Sequence, residues 1–323
     1  MDPFASHAYQ SAFLSTPASG SPMRAIDWLL LVLLSVLWGA SYFFIAVANP
    51  HVPPFTLALG RVALAAVVLV PLVLLLGLRL PATAADWRPF LGLAIVGNAV
   101  PFTLMVHGQL RIASGLAAVL NATTPLLTLV VARVFAGETL AGHKFAGVLI
   151  GLAGVGILVG PAALGSNASS VIGMACILGG SLSYAVSALW MRRLRHIPPL
   201  VSSAAQLICS SAMLLPVAGV AERFWLLPAP GVPAILAILS LALFSTALAY
   251  IVFFSINARA GPSNVMLVTL LIPVTATLLG VLILGEAVTP HQIAGAFVIA
   301  SGLVVIDGRL LARFQRAEER GVG

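Results

Sequence analysis

The chain has 323 residues, of which 60% are hydrophobic and only 8% charged. A soluble domain carries roughly 25% charged residues to cover its surface, and here the apolar runs recur along the whole length, so a soluble globule and a soluble enzyme on a single anchor are both excluded. The net charge of +7 rests on basic residues scattered singly or in small groups between apolar runs, a pattern of membrane orientation rather than of a nucleic-acid-binding face.

Residues 1–22 are polar, rich in Ser, Ala and Pro, and hold no Lys or Arg before Arg24. That excludes a cleavable signal peptide. Residues 1–23 therefore read as a polar, disordered tail, with the alternative that 1–22 lie upstream of a true start at Met23. A helix needs about 20 apolar residues to cross the hydrocarbon core. Runs of that length, broken at Pro, Gly and charge clusters, fall near 28–48, 55–76, 88–107, 112–135, 143–160, 170–190, 200–220, 232–256, 263–284 and 290–307. The expected fold class is all-α and polytopic, with ten transmembrane helices and short loops. With the N-terminus inside, 13 basic residues fall on the cytoplasmic side and only Arg111 and Arg223 on the other, which supports this count and places both termini in the cytoplasm. The two cysteines, Cys176 and Cys209, lie inside apolar runs and form no metal-binding spacing.

Shifting the chain by 148 residues places Pro125 on Pro273, Gly137-Glu138 on Gly285-Glu286, His143 on His291, Gly147 on Gly295 and Gly154 on Gly302. Seven of the ten identities between 98 and 160 fall after residue 136, so the matches cluster as a duplication would leave them. Residues 24–160 and 161–308 then form two five-helix repeats, followed by a basic cytoplasmic tail at 309–323. An odd number of spans per repeat forces opposite orientations, the inverted-repeat plan of many secondary transporters.

The run Leu37-Trp38-Gly39-Ala40-Ser41-Tyr42, with Gly60-Arg61 and the two Gly-Glu-x-Leu/Val motifs at 137–140 and 285–288, resembles the drug/metabolite transporter superfamily, in its ten-helix EamA-type branch. The resemblance covers about 24–308. It implies two five-helix halves around a central cavity, alternating access, and export of amino acids or other small metabolites. Ser183-Tyr184 stands at the start of the second half without the Trp-Gly pair, so nothing carries over for a second tryptophan.

Broken helices are the best sequence pointer to a transport site. Pro125 and Pro273 lack an N–H and free the carbonyls of Asn121 and Thr269. They are the expected helix breaks or gating points, and Asn121 and Thr269 the expected substrate-binding groups beside them. Trp38 is mid-span while the other tryptophans fall near interfaces; Tyr42 follows it by four residues on one helix face. Tyr184 and Tyr250 also lie inside spans. All four are expected to line the cavity, with core packing as the alternative. Asn98, its repeat partner Thr246, and Gln206 are mid-span polar groups that serve either as interhelical bonds or as ligands; Asn98 and Gln206 complete the expected substrate-binding set. Arg61 is six residues into its span. It either snorkels to the interface or faces inward as a substrate-carboxylate clamp. No Asp or Glu is mid-span, which suits a neutral or zwitterionic substrate better than a lipophilic cation. Glu138 and Glu286 are expected to accept hydrogen bonds from loop backbone. The glycines of the fifth and tenth spans form packing faces, within the bundle or between protomers.

These residues point to a secondary transporter in the plasma (inner) membrane, as a monomer or homodimer. The small-molecule substrate is an amino-acid-like metabolite, and the aromatic lining allows an aromatic one. No cofactor or metal is expected, and no P-loop is present to use ATP. A passive channel and a broad drug or metabolite efflux carrier are the alternatives. An intramembrane enzyme lacks its reactive constellation, since HExxH, GxSxG and paired aspartates are all missing.

Overall fold

The computed structural model describes residues 24–137, 139, 142–164, 168–194, 196–260, 262–265 and 267–307. The expectations for 1–23, Glu138 and 309–323 lie outside them. Every regular element among the described residues is helical. In chain order these are α1 (Ala25–Ala48), α2 (Pro54–Leu75), α3 (Ala84–Ala94, Ile95–Ala99, Val100–Gln109), and α4 (Ser114–Asn121, then Thr124–Ala136). Then follow α5 (Gly142–Leu164), α6 (Ala168–Met191), α7 (Pro199–Glu222), α8 (Val232–Ala242, Leu243–Leu248, Ala249–Ala260), α9 (Val268–Leu284, after a single turn Pro262–Val265) and α10 (Pro290–Asp307). Seven of them are long and apolar enough to cross a membrane, and α5, α9 and α10 supply shorter apolar stretches. The protein is a multi-pass helical membrane protein.

The packing is between early and late helices. α1 lies against α8 and α9, α2 against α7 and α8, α3 against α6 and α7, α4 against α6 and α9, and α5 against α10. Two buried clusters result. One centres on α2 and α7, with Leu69, Phe90, Val201 and Leu207. The other joins α1, α4, α6 and α9 through Leu34, Leu120, Ile177 and Ala276. Elsewhere large apolar side chains such as Leu75, Phe135 and Leu282 face outward, as lipid contact requires.

Small residues set the closest approaches. A Cβ on Gly39 would overlap the Thr275 side chain, whose hydroxyl donates to the Ser35 carbonyl at 2.8 Å. The Trp-Gly pair of α1 therefore lets α9 seat. Between α5 and α10 the backbones themselves meet. A Cβ on Gly302 would lie 2.7 Å from both the Gly147 carbonyl oxygen and the Gly151 nitrogen, and one on Gly154 would lie 2.8 Å from the Ile299 nitrogen. The glycine faces of these two helices are used on each other, within one chain. Gly137 and Gly285 cap α4 and α9 at φ of 65° and 67°, the left-handed geometry that lets a helix end on glycine.

Candidate functional site

The two proline positions behave differently. α4 is interrupted after Asn121 and restarts at Thr124, with Pro125 in its first turn, where the missing N–H costs nothing. The Asn121 carbonyl accepts from the Thr124 hydroxyl at 2.7 Å. Pro273 lies inside the unbroken α9, and the interruption in that part of the chain precedes Val268. The expectation of a break at Pro273 is therefore corrected to a proline within a continuous helix. Pro273 instead lines a groove of about 290 Å³ between α4, α9 and α10. Thr269, one turn before it, is half-buried.

α3 and α8 each widen to a π-helical turn, at Ile95–Ala99 and Leu243–Leu248. Such turns are frequent at functional sites, and the two hold Asn98 and Thr246, which correspond through the 148-residue shift. Widening lets the Thr246 hydroxyl donate to the carbonyl five residues back, Leu241, at 2.9 Å. The same oxygen accepts from Arg61 Nε at 3.0 Å. Arg61 is 6% exposed, with its guanidinium carbon 3.8 Å from the centroid of the Phe102 ring. It turns inward rather than snorkelling. The hydroxyls of Tyr42, Tyr184 and Tyr250 are its electrostatic neighbours. Among the described residues no carboxylate pairs with it, and its hydrogen bond is the one from Nε to Thr246. Among the described residues the guanidinium is thus buried with a hydroxyl and a ring as its contacts and no carboxylate beside it.

Around it the polar side chains hold one another. Asn98 has no exposed surface. Its Nδ2 donates to Ser210 Oγ at 3.2 Å, and its Oδ1 accepts from Gln206 Nε2 at 3.0 Å and from the Tyr250 hydroxyl at 3.4 Å. Gln206 passes over Gly97, where a Cβ would strike the Gln206 amide. Asn121 Oδ1 accepts from Ser181 Oγ at 3.0 Å and lies against the Tyr42 hydroxyl. Tyr184 packs edge-on to Phe102 and donates to Met105 Sδ at 3.6 Å, while the Trp38 ring sits 5.5 Å from that of Phe253. The structure thus gathers Arg61, Asn98, Gln206, Tyr184 and Tyr250 from five helices, with Tyr42 and Asn121 adjoining. It leaves Pro273 at a separate groove. In this conformation Asn98 and Gln206 engage their neighbours rather than open space.

Sequence reasoning missed Phe102, Ser181 and Ser210, for which only the mid-span serine hydroxyls gave a signal. It also missed what the terminal carboxylates do. Glu222, at the end of α7, accepts from the N–H groups of Phe55 at 2.9 Å and Thr56 at 2.7 Å, and from the Thr56 hydroxyl at 2.7 Å. Glu286 accepts from the N–H groups of Ser114 at 2.8 Å and Gly115 at 3.2 Å, and from the Ser114 hydroxyl at 2.9 Å. The expected backbone contact of Glu286 is present, but to the start of α4 rather than to its own loop. Both carboxylates fill the unsatisfied donors of a helix start in the other half of the chain, where negative charge is favoured. Counting helix reversals puts both contacts at one rim of the bundle. At the opposite rim Arg259 Nε donates to Asp27 Oδ1 at 2.9 Å.

Comparison with known proteins agrees with this geometry. A solved structure described as "Crystal structure of protein" overlays 90% of this chain and 100% of its own with a TM-score of 0.62 at 22% identity, which shows a shared fold. The protein named "Uncharacterized inner membrane transporter YedA" of Escherichia coli K12 is 28% identical over 282 residues, 85% of this chain and 89% of its own. A Salmonella typhimurium protein named "Probable amino-acid metabolite efflux pump" is 28% identical over 302 residues, 88% of this chain and 95% of its own. Residues 26–160 and 171–307 each match the EamA-like transporter family. The chain spans a membrane repeatedly, carries that domain twice, and belongs to the EamA-like transporter family.

Proposed function

We propose that this transporter is a secondary carrier that exports a small carboxylate-bearing zwitterion, of the amino-acid class, across the plasma (inner) membrane by alternating access. The observation that carries the reading is Arg61, buried near the hydroxyls of Tyr42, Tyr184 and Tyr250 with no carboxylate against it among the described residues. The substrate carboxylate takes that place. Tyr184 and Tyr250 flank it, and Asn98 with Gln206 fixes Tyr250. Trp38, Tyr42 and Asn121 form the adjoining wall, with Thr269 and the helix break at Pro125 beside it.

Ten spans in two inverted halves, 24–160 and 161–308, fit the packing. Exchanging each helix with the one five places away maps the pairings of α1 with α8 and α9 onto those of α6 with α3 and α4, and leaves α2–α7, α4–α9 and α5–α10 unchanged. The matched π turns follow the same exchange. The 13-to-2 distribution of basic residues supports both ends lying in the cytoplasm. The name of the Salmonella relative supports export and the substrate class.

Counterflow in proteoliposomes tests the reading, with labelled aromatic, aliphatic and sulfur amino acids, their decarboxylated amines, nucleosides and a lipophilic cation. Saturable uptake of an amino acid, accelerated by the same compound on the other side and missing for its amine, is expected. Unsaturable flux indifferent to the trans compound would make the protein a channel.

Alternating access requires the rim contacts to break in turn. Glu222→Ala removes the acceptor for the α2 start. A lost helix cap costs about 1 kcal/mol, roughly a fivefold shift toward the conformation open at that rim. With Cys176 and Cys209 replaced by serine and a reporter Tyr184→Cys, labelling from the periplasmic side is expected to accelerate by that factor. An unchanged labelling rate would remove Glu222 from the gate.

A further inference from the structure

A further cavity, of about 550 Å³, lies at the far end of the bundle from the Glu222 and Glu286 contacts. Three chain segments meet there: the start of α3, the end of α6 with its 3-10 turn Arg192–Leu194, and the connection into α7. Its walls include Arg88, Arg193, His196, Trp190 and Asp86, over an apolar floor of Pro89, Leu194 and Ile197. The Trp190 ring is seated on Gly92, where a Cβ would overlap it, so that wall is fixed by packing. Arg88 and Arg193 are both exposed, and among the described residues neither has a hydrogen bond, ion pair or ring contact. The one carboxylate in the cavity is already engaged. Asp86 Oδ2 accepts from the Thr83 N–H at 3.1 Å and from the Thr83 hydroxyl at 2.8 Å, closing the first turn of α3.

We propose that this cavity is a phosphate-oxyanion site that holds the headgroup of an anionic phospholipid from the cytoplasmic leaflet. Two unpaired guanidiniums supply paired N–H donors for phosphate oxygens. A tryptophan beside them matches the headgroup depth of the bilayer, and Leu194 and Ile197 meet the glycerol and upper acyl carbons. Basic pockets between helix ends on the cytoplasmic side are suited to such headgroups. The site is distinct from the Arg61 cluster and would tie α3, α6 and α7 together from outside the substrate path.

The test is a native mass-spectrometric titration of the full chain in mild detergent with phosphatidylglycerol, phosphatidylcholine and inorganic phosphate. Preferential binding of phosphatidylglycerol over phosphatidylcholine is expected, weakened about fivefold by Arg88→Gln or Arg193→Gln and further by the pair. Arg79→Gln, a basic position outside the cavity, serves as the control and should bind as the native chain does. If inorganic phosphate binds through the same two arginines and displaces the lipid, the oxyanion site stands but its natural source is soluble. Phosphatidylglycerol binding that survives loss of both arginines, or that Arg79→Gln weakens equally, would overturn the proposal. The single variant Arg193→Gln, at an exposed position, keeps the test decisive if the double variant does not fold.

Discussion

Arg61→Lys is expected to reduce transport of the carboxylate substrate about 10- to 100-fold, corresponding to the ~1.5–3 kcal/mol of a hydrogen bond to a charged group. Lysine keeps the positive charge but not the fork of N–H donors. It also loses the planar face that lies over the Phe102 ring, and the directional bond from Nε to Thr246. The effect should appear in substrate affinity measured by counterflow, with thermal stability little altered, because the cation remains in an inward-facing space. Full activity in Arg61→Lys would leave the charge without a recognition role and would return it to packing.

Gly302→Leu is expected to destabilise the protein by ~1–3 kcal/mol or more, the usual range for forcing volume into a packed interface. The atoms a new Cβ would meet are the Gly147 carbonyl oxygen and the Gly151 nitrogen, both at 2.7 Å. Neither is the end of a flexible side chain, so α5 and α10 would have to separate. Gly156→Leu is the matched control. Nothing lies within 4 Å of a Cβ at Gly156, and that variant should stay within about 0.5 kcal/mol of the native chain. Melting curves of the two variants in one detergent check the contrast. Equal losses would mean that helix propensity or insertion, rather than close packing, governs both positions.

The helices were legible because a membrane demands long apolar runs and tolerates charge only between them. α1, α2, α3, α4, α6, α7 and α8 meet that demand outright, while α5, α9 and α10 are shorter and were found through the same punctuation by Gly, Pro and charge. Depth was legible too, but direction around a helix was not. α2 is apolar on most of its faces, so no stripe indicates which way Arg61 points, and an inward clamp and an outward anchor had the same sequence signature. Nor does local pattern reveal that Glu222 reaches Thr56 or that Asp27 meets Arg259, partners 166 and 232 residues apart. The proline signal was reliable where it fell at a helix start, as at Pro125. At Pro273 the surrounding apolar packing carries α9 through. The π turn of α3 had a partial warning in Pro101, three residues past Asn98; that of α8 has alanine at the equivalent place and gave none.

Those two π turns let each helix take in an extra residue without losing its phase. Each accommodates one residue more than an α-helix would over the same rise, and everything beyond it is turned to match. Were α3 to close into a regular helix with all its residues kept, its second half would turn by about 100°, carrying Phe102 away from the guanidinium. Regular closure of 243–248 with every residue kept would do the same to Tyr250, whereas deleting one residue inside either turn would let its helix close with the phase preserved. Each turn thus fixes the phase of its own helix, and the aromatic groups beyond them face the guanidinium only while both turns stay wide.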